Sequence, residues 1–302
     1  MSATIARRVL LLGCGYVGLA TGRRLVEAGH TVSGLRRSAE NAAELRAAGI
    51  RPLVGDITLP AQLAALPGPF DWVVNTVSSS RGGAAEYRSV YLEGTRNVLA
   101  WLATQPVAKF VYTSSTSVYP QNDAGEVDET SPAQPAGETG RLLRDTEEIL
   151  LAAARERHFP AVILRVAGIY GPGRGHLFHQ LLVGEARVAG DGSRLMNMVH
   201  RDDVAAGIVT ALEHGQPGEI YNCTDDLPVS QLDFLAWCSA QLGRPVPPFA
   251  TELENNARKR GLTNKRVSNR KLRALGWSPR HPSYREGYAA ALAAAQIPAT
   301  ET

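Results

Sequence analysis

The tightest constraint on this chain is Gly13-Cys14-Gly15-Tyr16-Val17-Gly18, a G-x-G-x-x-G spacing between the apolar run Val9–Leu12 and a helix-period segment, Val17–Ala28, closed by Gly29. An apolar strand feeding a helix through such a turn leaves free N–H groups and a partial positive charge at the helix start. Gly13 permits the tight turn, Gly15 lets backbone approach an anion, and Gly18 lets helix pack on strand. Gly13, Gly15, Tyr16, Val17 and Gly18 are therefore expected at the pyrophosphate of a dinucleotide.

The segments that follow alternate. Strands are predicted at Val32–Leu35, Pro52–Gly55, Trp72–Thr76, Lys109–Ser114, Ala161–Val166 and Glu219–Asn222. Helices are predicted at Ala39–Ala48, Ala84–Thr104, Gly140–Arg157, His200–Leu212 (with Asp202 as its cap), Ser230–Leu242, Asn269–Leu275 and Tyr284–Ala294. Right-handed crossovers turn this alternation into a doubly wound parallel sheet. The expected architecture is α/β: a Rossmann domain of residues 1–168, which also takes in about 195–225, and a smaller C-terminal substrate lobe of 169–194 and 226–302. Pro120–Gly137 reads as a long polar connection, either a lid or a solvated loop.

The end of the second strand bears on which dinucleotide is held. A carboxylate there bonds the ribose 2′-hydroxyl of NAD, whereas this chain places Arg36 and Arg37 there, Arg36 lying 18 residues beyond Gly18. A guanidinium can hold a 2′-phosphate through charged hydrogen bonds, so NADP(H) is favoured and NAD(H) stays open.

Further motifs resemble the extended short-chain dehydrogenase/reductases of the NAD-dependent epimerase/dehydratase type. They are Gly55-Asp56-Ile57, Glu93-Gly94-Thr95-Arg96-Asn97-Val98, Val111 to Tyr119, Arg165 to Gly173, and Met198 to Ala205. The resemblance spans nearly the whole chain. It implies that Asp56, Ile57, Thr76, Val77, Ser114 and Val166 contact the cofactor, and that Ser115 is the catalytic hydroxyl. The segments 84–104 and 140–157 resemble the pair of helices through which such chains form homodimers.

One family feature is missing. Catalysis there rests on Tyr-x-x-x-Lys, yet the four lysines, Lys109, Lys259, Lys265 and Lys271, follow Gln105, Asn255, Gly261 and Val267 by four. Anchoring on Glu147 puts Thr139 and Leu143 at the Tyr and Lys positions; a slip of one residue puts Gly140 and Arg144 there. Ser115, Tyr119 and His200 are the candidates to replace the acid. Two functions follow: an NADP(H)-dependent oxidoreductase or epimerase-like enzyme acting on a carbonyl or sugar-type substrate, or a non-catalytic NADP(H)-binding sensor.

The remaining features narrow the class. A net charge of +3 does not by itself call for nucleic acid. The basic stretch Arg258–Arg273 fits an anionic small-molecule substrate or a solvated face, with nucleic acid a weaker reading. Cys14, Cys223 and Cys238 have neither metal-ligand nor disulfide spacing, so a reducing cytoplasm is expected. His176 and His179, three apart, lack a third ligand nearby, and no metal is expected. No run is long enough to span a membrane, and the apolar run after Arg7-Arg8 is too short for a signal core.

Overall fold

The computed structural model of the protein describes residues 5–79, 82–251 and 263–296. Seven strands form one parallel sheet: β1 (Arg8–Leu12), β2 (Thr31–Arg36), β3 (Arg51–Val54), β4 (Trp72–Asn75), β5 (Lys109–Ser115), β7 (Ala161–Val166) and β11 (Ile220–Cys223). Their order is β11-β7-β5-β4-β1-β2-β3. The chain thus winds outward from β1 to β3, returns, and winds the other way from β4. That reversal opens a crevice at the carboxyl ends of β1 and β4, where such sheets bind ligands.

Helices cover both faces, so the central strands are apolar on both sides. Val9, Leu10, Leu11 and Leu12 are fully buried, each worth about 1.5–3 kcal/mol in burial. On one face α1 (Tyr16–Glu27) packs on α8 (Arg201–His214). Gly22 lets α1 lie close on the sheet, because a Cβ there would lie 2.4 Å from the Ile50 side chain and 3.0 Å from that of Leu11. α2 (Ala42–Ala47) follows β2, and α3 (Pro60–Ala64), with proline at its first turn, follows β3. The other face carries α5 (Gly94–Leu102) and α6 (Glu138–Arg157).

Several details differ from the sequence expectation. The helix expected over 84–104 is α4 (Ala84–Tyr87), a π-helical stretch Arg88–Glu93, then α5. Pro120–Gly137 is not a plain loop: it contains β6 (Asn122–Val127), which pairs in parallel with β13 (Asn264–Val267). Asp202 does not cap α8; the ring of His200 does, accepting from the Asp202 N–H at 3.2 Å. An imidazole acceptor one position before the helix does the work expected of the carboxylate.

The C-terminal part adds β8 (Gly168–Tyr170) paired with β10 (Met198–His200), and β9 (Leu195–Met196) paired with β12 (Val229–Ser230). α7 (His176–Leu182), α9 (Gln231–Gln241) and the helix Tyr284–Gln296 surround a second apolar cluster that includes Tyr170, Phe178, Phe234, Tyr284 and Tyr288. Ser230 caps α9 through the Asp233 N–H, as its position predicts. A short helix, Arg270–Ala274, follows β13. Arg258, Lys259 and Arg260, and the tail beyond residue 296, lie outside the described residues. Among those described, no helix is long and apolar enough to cross a membrane.

Candidate active site

A cleft of about 1020 Å³ opens at the sheet reversal, at the upper end of the range for ligand sites. Its first wall is the glycine turn. Gly13 sits at φ +78°, and a Cβ there would come within 2.7 Å of the Val77 backbone. Gly18 is equally constrained, its absent Cβ falling 2.9 Å from the Gly13 carbonyl oxygen and 3.0 Å from Thr76 Oγ1. Thr76 closes the turn by donating its hydroxyl to the Gly13 carbonyl at 2.9 Å. At Gly15, the N-cap of α1, a Cβ would meet nothing nearer than the Gly13 carbonyl oxygen at 3.9 Å. The backbone at Gly15 is therefore open to close approach, at a helix start with no acid in its first turn, which suits a pyrophosphate.

The second wall lies along β2 and β3. Arg36 is the last residue of β2; its Nε donates to the Cys14 carbonyl and its Nη2 pairs with Glu44 at 2.9 Å. Asp56 accepts from the backbone and hydroxyl of Thr58, which shapes the turn carrying Ile57. Asn97 donates to the Ile57 carbonyl at 3.0 Å, and Gly94 makes room for the Ile57 side chain.

The third wall is the end of β5. Ser114 donates to Glu147 at 2.6 Å, and Glu147 also takes two hydrogen bonds from Arg165. Burial works against the Arg165 charge, but the Glu147 carboxylate outweighs it and raises the guanidinium pKa. This buried pair fixes β5, α6 and β7 beneath Ser115. Ser115 Oγ accepts from the Ser117 N–H at 3.2 Å, capping the short turn Thr116–Val118, so its proton remains available to another acceptor.

Of the residues expected in the site, Gly13, Gly15, Tyr16, Val17, Arg36, Arg37, Asp56, Ile57, Thr76, Val77, Ser114, Ser115 and Val166 line this cleft. Gly18 stands behind the wall as packing. Tyr119 is not among the lining residues: it is fully buried, donates to Asn222 at 2.9 Å and lies under the Arg165 guanidinium. Burial raises its phenol pKa although Arg165 opposes this. His200 is also off the wall, 5% exposed, with its ring centroid 3.9 Å from that of His281. Burial and then His281 lower its pKa, so it stays neutral and its Nδ1 acts as the helix cap.

The wall contributed by α6 consists of Thr139, Gly140 and Leu143, whereas Arg144 turns to Glu148 at 3.1 Å. Tyr87, Tyr91, Arg174 and Thr263 also line the cleft, though no short motif marked them. Tyr87 and Tyr91 lie four apart, on one face of a helix. The closest His and carboxylate grouping among the described residues is His200, Asp203 and His281, rather than His176 and His179. Asp203 there accepts from the Arg280 and His281 amides and from the His281 ring, which ties the C-terminal segment to α8.

Sequence comparison agrees with this geometry. Residues 9–224 match the NAD dependent epimerase/dehydratase family, and the chain belongs to it. Protein YeeZ of Escherichia coli is 28% identical over 262 residues, covering 82% of this chain and 89% of that one. A solved structure described as an NAD-dependent epimerase/dehydratase of Methylobacillus flagellatus is 34% identical, with a TM-score of 0.77 and coverage of 97% and 100%. The dTDP-glucose 4,6-dehydratase DesIV of Streptomyces venezuelae, solved with NAD bound, shares the fold at a TM-score of 0.83 and 24% identity, with coverage of 95% and 96%. The protein is thus of the dinucleotide-dependent epimerase/dehydratase type, whose relatives support an enzyme-like function.

Proposed function

We propose that this protein is an NADP(H)-dependent oxidoreductase or epimerase-like enzyme acting on a carbonyl or sugar-type substrate, with Ser115 as the hydroxyl that holds the reacting oxygen. The observation that carries the cofactor reading is Arg36 on the cleft wall at the end of β2, where an NAD site would place a carboxylate. Its partner Glu44 is about half exposed, so the ion pair is weak and a 2′-phosphate can displace it. When bound, the dinucleotide supplies or takes up a hydride at the substrate carbon.

The chain's own contribution is to orient. Glu147 and Arg165 hold the Ser115 turn, and Tyr16 donates to the Pro172 carbonyl at 3.1 Å, fastening the glycine turn to the loop that carries Arg174. Arg174 lines the cleft and lies over the Tyr16 ring, placing positive charge there and favouring an anionic substrate, whereas Arg201 over the same ring is paired with Asp202 at 2.9 Å. A homodimer through the helices of 84–104 and 140–157 accompanies this reading.

Purified protein mixed with a panel of NADP+ and dTDP-glucose or UDP-glucuronate, and of NADPH and 3-oxoalkanoates, tests it. Steady NADPH oxidation or substrate conversion, lost in Ser115→Ala, supports an enzyme. A second reading, a non-catalytic NADP(H) sensor, is favoured by Leu143, an apolar side chain packed with Val118 and Val127 on the α6 wall. Tight NADPH binding without turnover across the panel would select it.

A further inference from the structure

β13 begins one residue after Thr263, which lines the same cleft as Ser115, Ser117, Pro120 and Asn122. Lys265, two residues on, is 4% exposed. Its Nζ donates to Thr263 Oγ1 at 2.8 Å and to the Tyr119 carbonyl at 2.8 Å. Burying an ammonium is costly, and such groups are rarely left inside without a function or a counter-charge. Burial pushes this amine down to about 8, and no carboxylate offsets it among the described residues.

The strand is held from two sides. It pairs with β6, and Asn197 donates to the Lys265 carbonyl while accepting from the Val267 N–H. The backbone that follows Thr263 is therefore held on both sides of Lys265.

We propose that Thr263 contacts the substrate, donating its hydroxyl proton to a carbonyl or hydroxyl oxygen of the small molecule in the cleft, with Lys265 as the positioning residue behind it. A hydroxyl has one proton and two lone pairs. The ammonium occupies one lone pair, which leaves the proton for an acceptor on the open side. It also polarises the hydroxyl into a stronger donor. Through the Tyr119 carbonyl the same ammonium fixes the turn that begins at Ser115, so both hydroxyls are oriented from one charge. This rests on reading the cleft as the site of dinucleotide-dependent chemistry. It gives the cleft a lysine that arrives from the C-terminal strand instead of α6.

Two measurements test the pair. The native cysteines are all buried, so a thiol introduced by Thr263→Cys is read against a quiet background. An adjacent ammonium stabilises the thiolate, and each unit of lowered thiol pKa is worth up to about tenfold in reactive fraction near neutral pH. Iodoacetamide should alkylate Thr263→Cys about tenfold faster than Thr263→Cys/Lys265→Met, with Lys265→Gln in place of Lys265→Met if the latter does not fold. Equal rates, or a rate no faster than that of the wild-type cysteines, overturn the proposal.

On a panel compound that turns over, Thr263→Val should lower kcat/KM about tenfold, the loss expected for one hydrogen bond, while Thr263→Ser retains most of it. Lys265→Arg should retain more than Lys265→Met. An unchanged kcat/KM in Thr263→Val overturns the proposal. Wild-type protein that turns over nothing would defeat the reading of the site, and the alkylation rates would still decide the pair.

Discussion

Arg165 and Glu147 make a two-point ion pair inside the protein, Nε at 3.0 Å and Nη2 at 2.7 Å from the carboxylate oxygens, with Arg165 2% and Glu147 0% exposed. Such a pair contributes little net stability over an apolar replacement, but removing one partner leaves an uncompensated buried charge. Glu147→Gln should cost about 3–5 kcal/mol in urea unfolding. Replacing both, with Glu147→Leu and Arg165→Met, should recover most of that stability while freeing the Ser114 hydroxyl. A single Glu147→Gln variant as stable as wild type would show that the pair is not what fixes β5 to α6.

Arg36 is expected to set cofactor choice. A charge-assisted hydrogen bond contributes about 1.5–3 kcal/mol, so Arg36→Ala should weaken NADP(H) by roughly 10- to 150-fold. NAD(H) binding should change little. Calorimetric titration of both dinucleotides against both proteins checks this, and a parallel loss for NAD(H) would place Arg36 outside the 2′-phosphate site.

At Gly13 a side chain is excluded twice over, by φ +78° and by the Val77 backbone 2.7 Å from the missing Cβ. Gly13→Ala should therefore lose dinucleotide binding by more than tenfold and lower stability by about 1–3 kcal/mol. Gly29→Ala is the control. It also has positive φ but no atom within 4 Å of its Cβ, so it should cost stability and leave binding intact.

The pH dependence of stability should carry two opposing contributions. Asp225 is 2% exposed and burial pushes its carboxyl up to about 8, so the folded state holds a proton that the unfolded chain releases. Its contribution is full below the unfolded value near pH 4 and is lost as pH rises toward and through 8. His200 acts in the other direction. Its folded pKa is lowered, so its contribution is full above about pH 6.5 and fades as pH falls through the folded value. Denaturant midpoints from pH 5 to 8 should rise for Asp225→Asn relative to wild type as pH increases. Parallel profiles would remove Asp225 from the account.

The glycine turn, the strands and most of the cleft lining are legible in the sequence because each rests on local chemistry. A tight turn needs glycine, and a buried strand needs an apolar run. The β6–β13 pair is not legible that way. Asn122–Val127 is polar and half exposed, and its partner lies more than 130 residues away. Nothing nearby in either segment announces the other. The π-helical stretch keeps a helical apolar period, so it reads as uninterrupted helix. Tyr119 and His200 stand in motifs whose neighbours line the cleft, but their side chains point into the fold, to Asn222 and toward His281. Motif spacing says where backbone goes and leaves the side chain's direction to packing.

The pairing of β6 with β13 also sets an order of assembly. On the proposed reading, the residues that grip a dinucleotide lie between Gly13 and Val166, whereas the wall carrying Thr263 needs a strand made well after β7. On that reading a growing chain acquires its cofactor cradle early and stays open on the substrate side until β13 docks. Closing so long a loop costs entropy before any contact repays it, which makes β13 docking a late event in folding. A chain halted before β13 would keep a place for the cofactor and lack one for the molecule on which the cofactor acts.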